Sequence, residues 1–173
     1  MPSIPTLEDR VPIRYLAIAG SGSGDSEFRG FADSTFPALF GAVGELDLTP
    51  AAAPFFRYHR FALDGDFEVE IGVPVDGGVG SGGTGEAFFG ELPAGRYAVH
   101  VHEGAYSADD ETWADRDLDS AYRHLEQWAA DRGITWATED GRNVAWTEQY
   151  LVGPAETSDV GAWRTQIARL VAE

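Results

Sequence analysis

No cysteine occurs in the 173 residues, which excludes disulfides, thiol nucleophiles and cysteine-ligated zinc. Lysine is missing as well: the 12 basic residues are all arginine, set against 29 acidic ones for a formal charge of −17. A surface this acidic repels phosphate backbones and anionic lipid, so no direct nucleic acid binding is expected. It is compatible with halophilic adaptation, and it attracts cations over distances that salt screens. There is no run of about 18 apolar residues and no charged start followed by an apolar stretch. A cytoplasmic protein without membrane association is therefore expected. No Gly-x-Ser-x-Gly elbow supports a serine hydrolase. The loop Gly20-Ser-Gly-Ser-Gly24 lacks the Lys-Ser/Thr of a P-loop and is not a GxGxxG fingerprint, so it reads as a mobile connector and implies no cofactor.

What is present suffices for one domain over residues 1–173, since 43% of the residues are hydrophobic and can bury a core. After a lead-in over residues 1–10, residues 11–19 read as a strand. Phe36, Leu39, Phe40 and Val43 recur at helical spacing and predict a helix over about 28–46, with Ser34 or Thr35 as N-cap and Pro37 in its first turn. Strands at 55–63 and 66–75 follow, joined at Asp64-Gly65, a hairpin dipeptide. In the second of these, Phe67, Val69, Ile71, Val73 and Val75 share one face. Glu68 and Glu70 share the other, which reads as solvated. The glycine-dense stretch 77–85 reads as a linker.

The pattern then returns. Strands are expected at 87–92 and 96–103, and a helix at about 112–132 ended by Gly133, with Leu118, Ala121, Tyr122, Leu125 and Trp128 or Ala129 as its apolar stripe. Strands at about 143–152 and 163–171 complete the chain. Arg14-Tyr15 and Arg96-Tyr97 each open a strand, helix, strand, strand series, and Val69-Glu-Ile71 matches Thr165-Gln-Ile167. The expected fold is α+β, with an antiparallel sheet, half-repeats at about 11–76 and 86–172, pseudo-twofold symmetry and a groove where the halves meet.

Residues 146–150 read Trp-Thr-Glu-Gln-Tyr. As a strand they place Trp146, Glu148 and Tyr150 on one face, a carboxylate between two aromatic rings. That grouping suits an apolar organic cation, which can meet both the carboxylate and the ring quadrupoles. An edge strand with Glu148 facing water satisfies the same alternation. His100 and His102 also share a strand face, with Glu103 or His59 as further donors, but no feature places the third convergent ligand that a metal needs. No metal site is assigned.

Taken in order, Arg14-Tyr15, Phe67-Glu-Val-Glu-Ile-Gly-Val-Pro-Val75, Glu91-Leu-Pro-Ala-Gly-Arg-Tyr97, His102-Glu-Gly-Ala-Tyr106, Glu148-Gln-Tyr150 and Gly153-Pro154 resemble the GyrI-like effector-binding superfamily. That group includes AraC-type effector-binding domains and the drug-binding domain of the regulator BmrR. The resemblance runs from about Val11 to Val171. It implies a duplicated strand-helix-strand-strand fold with a central ligand cleft, and a small-molecule ligand. It also assigns Glu148 as the acid that meets the ligand's charge and Tyr150 as the tyrosine beside it. Trp146 is a platform on the same face, and Tyr106 and Tyr122 are further ligand-binding candidates. With only about ten residues before the first strand, a stand-alone member without its own DNA-binding domain is expected. Relatives of that kind bind small molecules, act on DNA gyrase, or resemble hydrolases that open cyclopropane-containing alkylating agents, in which case Glu148 would be catalytic.

Overall fold

Eleven strands and two helices alternate along the chain in the computed structural model, which describes residues 3–62, 65–76, 83–106 and 117–173. The first series is β1 (Thr6–Arg10), β2 (Ile13–Ser23), α1 (Asp25–Glu45), β3 (Thr49–Pro50), β4 (Phe55–Phe61) and β5 (Asp66–Asp76). The second is β6 (Phe88–Leu92), β7 (Gly95–Glu103), α2 (Leu118–Ala130), β8 (Thr138–Glu139), β9 (Arg142–Asn143), β10 (Trp146–Val152) and β11 (Arg164–Leu170). Among the described residues, β8 and β9 form a small ribbon. The other strands form one curled antiparallel sheet in the order β1-β7-β11-β10-β4-β5-β2-β6, with β3 on β5.

That order reads the same from both ends, and the register does too. At the central seam Phe56 of β4 faces Glu148 of β10. Phe56 then faces Ile71 on β5, and Glu148 faces Ile167 on β11. Ile71 faces Ile18, and Ile167 faces His100. Each inner strand even carries its irregularity at the same place, between Tyr58 and Arg60 on β4 and between Tyr150 and Val152 on β10. The protein is thus a duplicated strand-helix-strand-strand module about a pseudo-twofold axis.

The helices lie on one face of the sheet. Leu39, Ala42 and Val43 of α1 pack on Leu16, Phe67, Val69, Ile71 and Val73, while Ala121, Leu125 and Trp128 of α2 pack on Ala98 and Ile167. The opposite face is closed by Tyr15, Phe55, Tyr97, Val99 and Ala168. Alternation thus leaves two apolar faces on the inner strands, because the curl of the sheet shelters the side without helices. Among the described residues, no helix is long and apolar enough to cross a membrane.

Several expectations need correction. Residues 6–10 pair with β7 rather than leading in freely. Gly20 to Ser23 continue β2 instead of forming a connector. Their glycines serve close packing: a Cβ on Gly20 would stand 2.3 Å from the Phe31 ring. Only Gly24, at φ +83°, turns the chain. Helix α1 starts at Asp25, not near Ser34, so Pro37 sits inside it. The Ser34 hydroxyl donates to the Gly30 and Phe31 carbonyls rather than capping. Helix α2 is described from Leu118, capped by Asp117, whose carboxylate accepts the Ser120 N–H at 2.8 Å. The expected stretch 112–116 lies outside the described residues, as do Asp64 of the hairpin turn and 77–82 of the glycine-rich segment.

Candidate functional site

Strand β10 is central, not an edge, and on the face it turns towards the helices Trp146 and Tyr150 are partly buried. Glu148 lies there at 5% exposure. The Tyr122 hydroxyl on α2 donates to Glu148 Oε2 at 2.6 Å, and the Tyr150 hydroxyl donates to Oε1. Tyr58, reaching over from β4, brings a third phenol to the carboxylate. Trp146 adds a further link, its indole N–H lying 3.4 Å from the Tyr122 oxygen. Among the described residues, no basic side chain pairs with this carboxylate.

Burial pushes the Glu148 carboxyl above its ordinary range, and Asp119 adds to the effect. The phenol hydrogen bonds from Tyr122, Tyr150 and Tyr58 oppose the shift without cancelling it. The phenols themselves are pushed well up by burial and by the carboxylate they serve. They remain donors, and the site is a negative or proton-holding centre in an aromatic box.

The rings interlock. Trp146 stacks at a tilt on Tyr58 with centroids 4.8 Å apart and meets Tyr122 edge-on at 5.7 Å. Tyr150 meets Phe56 edge-on at 5.8 Å and Tyr106 at 5.4 Å. Tyr106 in turn stacks on Trp163 at 4.8 Å. All five residues singled out in the sequence, Tyr106, Tyr122, Trp146, Glu148 and Tyr150, therefore belong to one contiguous cluster. Tyr58, Trp163 and Arg169 join it unannounced. Tyr58 carried a usable signal: Phe56-Arg-Tyr58 stands in the first module where Glu148-Gln-Tyr150 stands in the second.

Arg169 lies beside the box on β11, opposite Trp146. Its guanidinium carbon is 4.8 Å from the Trp146 ring centre and 4.6 Å from that of Trp136.

The opposite face holds a second polar group. Glu70 was expected to be solvated, but its side chain is only 12% exposed. Tyr15 donates to it at 2.5 Å, His59 Nε2 lies at 3.1 Å, and Arg57 donates to the same tyrosine oxygen at 2.5 Å. Burial alone would raise the Glu70 carboxyl, yet His59, Tyr15 and Arg57 together hold it below its ordinary range. An open depression of about 420 Å³ borders this group, lined by Ser21, His59, Glu68, Glu70 and Arg142 among others.

His100 and His102 are both buried. His100 meets the His124 ring edge-on at 5.1 Å and is pushed down to about 4, first by burial and then by His124 and His102. His102 Nε2 lies 2.8 Å from the Ala105 carbonyl oxygen. Among the described residues, no three His, Asp or Glu side chains are arranged to hold a metal ion.

The carboxylate in a tyrosine cage, at the seam of a duplicated module, agrees with a match over residues 5–167 to the GyrI-like small molecule binding domain. The chain belongs to that family. No curated protein sequence matches this GyrI-like chain. Among solved structures it is similar to the EcmrR C-terminal domain, with 21% identity, a TM-score of 0.75, and coverage of 98% of this chain and 97% of that one. It is also similar to SAV2435 bound to tetraphenylphosphonium, at 13% identity and a TM-score of 0.64, covering 98% and 94%. A hydrolase from Listeria innocua shares 12% identity at a TM-score of 0.59, covering 98% and 92%. Identities this low establish a shared fold, and the family membership establishes a small-molecule binding domain.

Proposed function

We propose that this GyrI-like protein binds planar or amphipathic organic cations, with Glu148 as counter-ion and Trp146, Tyr58, Tyr122 and Tyr150 as aromatic walls. The observation that carries this reading is the burial of Glu148 without a basic partner among the described residues. An unpaired buried carboxylate costs several kcal/mol, and a bound cation offsets that cost as a phenol cannot. The tetraphenylphosphonium bound to the similar SAV2435 is a ligand of the same class. Tyr106 and Trp163 extend the aromatic surface beyond Tyr150.

Calorimetric titration of tetraphenylphosphonium into wild type and Glu148→Gln tests the proposal. Loss of about tenfold or more in affinity, roughly 1.4 kcal/mol, is expected in the variant. Equal affinities would remove the counter-ion role.

The raised Glu148 carboxyl favours a second reading, a hydrolase in which it moves a proton for an electrophilic, cyclopropane-bearing substrate. The phenols rank this reading below binding, because their donors already hold both carboxylate oxygens, which makes Glu148 a weaker base towards water. Turnover by wild type above that of Glu148→Ala would reverse the order.

A further inference from the structure

The aromatic box has a cation of the protein's own at its edge. Arg169 has its guanidinium against Trp146 and Trp136, and its side chain is 16% exposed. Nη1 donates to Glu126 at 2.5 Å and Nη2 donates to Asn143 Oδ1 at 3.0 Å. Its Nε–H is buried and has no acceptor among the described residues. A buried donor without an acceptor is rare and costly, and in a native site it calls for an explanation.

The fold itself does not require this arginine. Ile167 faces Glu148 as Ile71 faces Phe56, so two residues further along β11 Arg169 falls where β5 has Val73. That valine is fully buried in the apolar core. The same backbone position is thus served by a plain hydrocarbon in one module and by a partly satisfied cation in the other. Burial lowers the Arg169 guanidinium from its ordinary range, against the pull of Glu126 and Tyr122. Arg169 therefore sits in its place at a cost.

Its position relative to Glu148 is set by register. Glu148 pairs with Ile167 and Trp146 with Arg169, so the two charged residues are diagonal neighbours on one face, with backbones about 7–8 Å apart. Trp146, against the Arg169 guanidinium, and Tyr122, bonded to Glu148, meet edge-on and link the two. One end of the box is anionic and the other carries a cation with a spare donor.

We propose that Arg169 determines specificity at this site, so that the preferred ligand is a planar cation that also bears an acceptor or carboxylate group, presented to the Arg169 Nε–H while its positive centre meets Glu148. This deepens the cation-binding reading and rests on it. A simple lipophilic cation satisfies Glu148 alone and leaves Nε unpaired. A zwitterionic or acceptor-bearing aromatic cation satisfies both, and a second positive charge at the Arg169 end is repelled.

Two dyes with the same diethylamino-xanthylium cation separate the cases. Rhodamine B bears a carboxylate and tetraethylrosamine lacks it, and fluorescence anisotropy reads the binding of each. Wild type is expected to favour rhodamine B by about tenfold or more. Arg169→Met, which keeps the chain length, is expected to bring the two dyes to parity. Arg169→Lys, which keeps the charge but has no Nε–H, is expected to lose most of the preference. Thermal melts of each variant establish that it is folded, and the wild-type ratio decides the matter even if a variant is not. Equal or reversed affinity in wild type, or a preference unaltered in Arg169→Met, overturns the proposal. If both dyes bind and Glu148→Gln weakens them equally while these ratios fail, the Arg169 role alone falls. If neither dye binds, or Glu148→Gln changes nothing, the cation-binding reading falls with it.

Discussion

Phe56 occupies in the first module the place that Glu148 holds in the second, and the two face each other across the β4–β10 seam. Around Phe56 the helix side is filled by Phe28 and Phe36 of α1, with ring centres at 5.3 and 5.7 Å. Around Glu148 it is filled by tyrosines that donate hydrogen bonds. At this depth one half of the duplicated fold thus presents hydrocarbon and the other presents polar groups.

Phe56→Glu would set a second carboxylate directly opposite the first. Two carboxylates that close in a buried site cannot both ionise. The variant is expected to be destabilised by several kcal/mol at pH 8, on the scale of an uncompensated buried charge, and by less at pH 5. Urea denaturation at the two pH values measures the difference.

The raised Glu148 carboxyl gives stability a slope of defined sign. The folded protein holds this proton more tightly than the unfolded chain, chiefly because of burial. The contribution is complete below the unfolded carboxylate range, near 4.3, and is lost as pH rises through the higher folded value. Against wild type, Glu148→Gln should therefore gain relative stability from pH 4.5 to 8 in urea melts. A difference that stays constant with pH would show that Glu148 titrates alike in both states.

Glu70 has the opposite sign. Hydrogen bonds from His59 and Tyr15, together with the Arg57 charge, overcome burial and lower it. Its contribution is present above the unfolded carboxylate range and is lost as pH falls through the folded value. Tyr15→Phe removes the hydroxyl that joins Arg57 to Glu70 and is expected to cost about 1–3 kcal/mol near neutral pH, the scale for an unsatisfied buried partner. That cost should shrink on acidification, as thermal melts of the two proteins across pH would show.

Gly72 of β5 lies where two buried rings meet edge-on, Tyr15 and Phe55, with centroids 5.0 Å apart. An added Cβ would stand 2.8 Å from Phe55 and 2.9 Å from Tyr15. Both rings are sealed in the core, so Gly72→Ala is expected to cost about 1–3 kcal/mol through overpacking. Phe55→Leu in the same chain should recover part of it. A double-mutant cycle by chemical denaturation measures that coupling.

Much of the fold was legible in the sequence, because alternation over residues 66–75 and the two Arg-Tyr strand openings are local signals with a fixed period. The helix stripe of Leu118, Ala121, Leu125 and Trp128 was legible for the same reason. The start of α1 was not. Asp25 to Asp33 contains Phe28 and Phe31 without a side-chain cap, and their helical face becomes apolar only against Phe56 and Phe67. The strand through Gly20 to Ser23 was hidden likewise, since glycines read as a loop until Phe31 is seen packed over them.

By itself the sequence determined the duplication, the family and the placing of Trp146, Glu148 and Tyr150 on one strand face, because each depends on spacing along the chain. Tertiary structure decided that β10 is central and that Tyr58 and Tyr122 complete a cage around Glu148. It also brought Arg169 to the edge of that cage, and it drew Glu70 out of water on the other face. Those outcomes depend on which strands become neighbours and how far the sheet curls. Both are set by long-range pairing and burial, which no local pattern encodes.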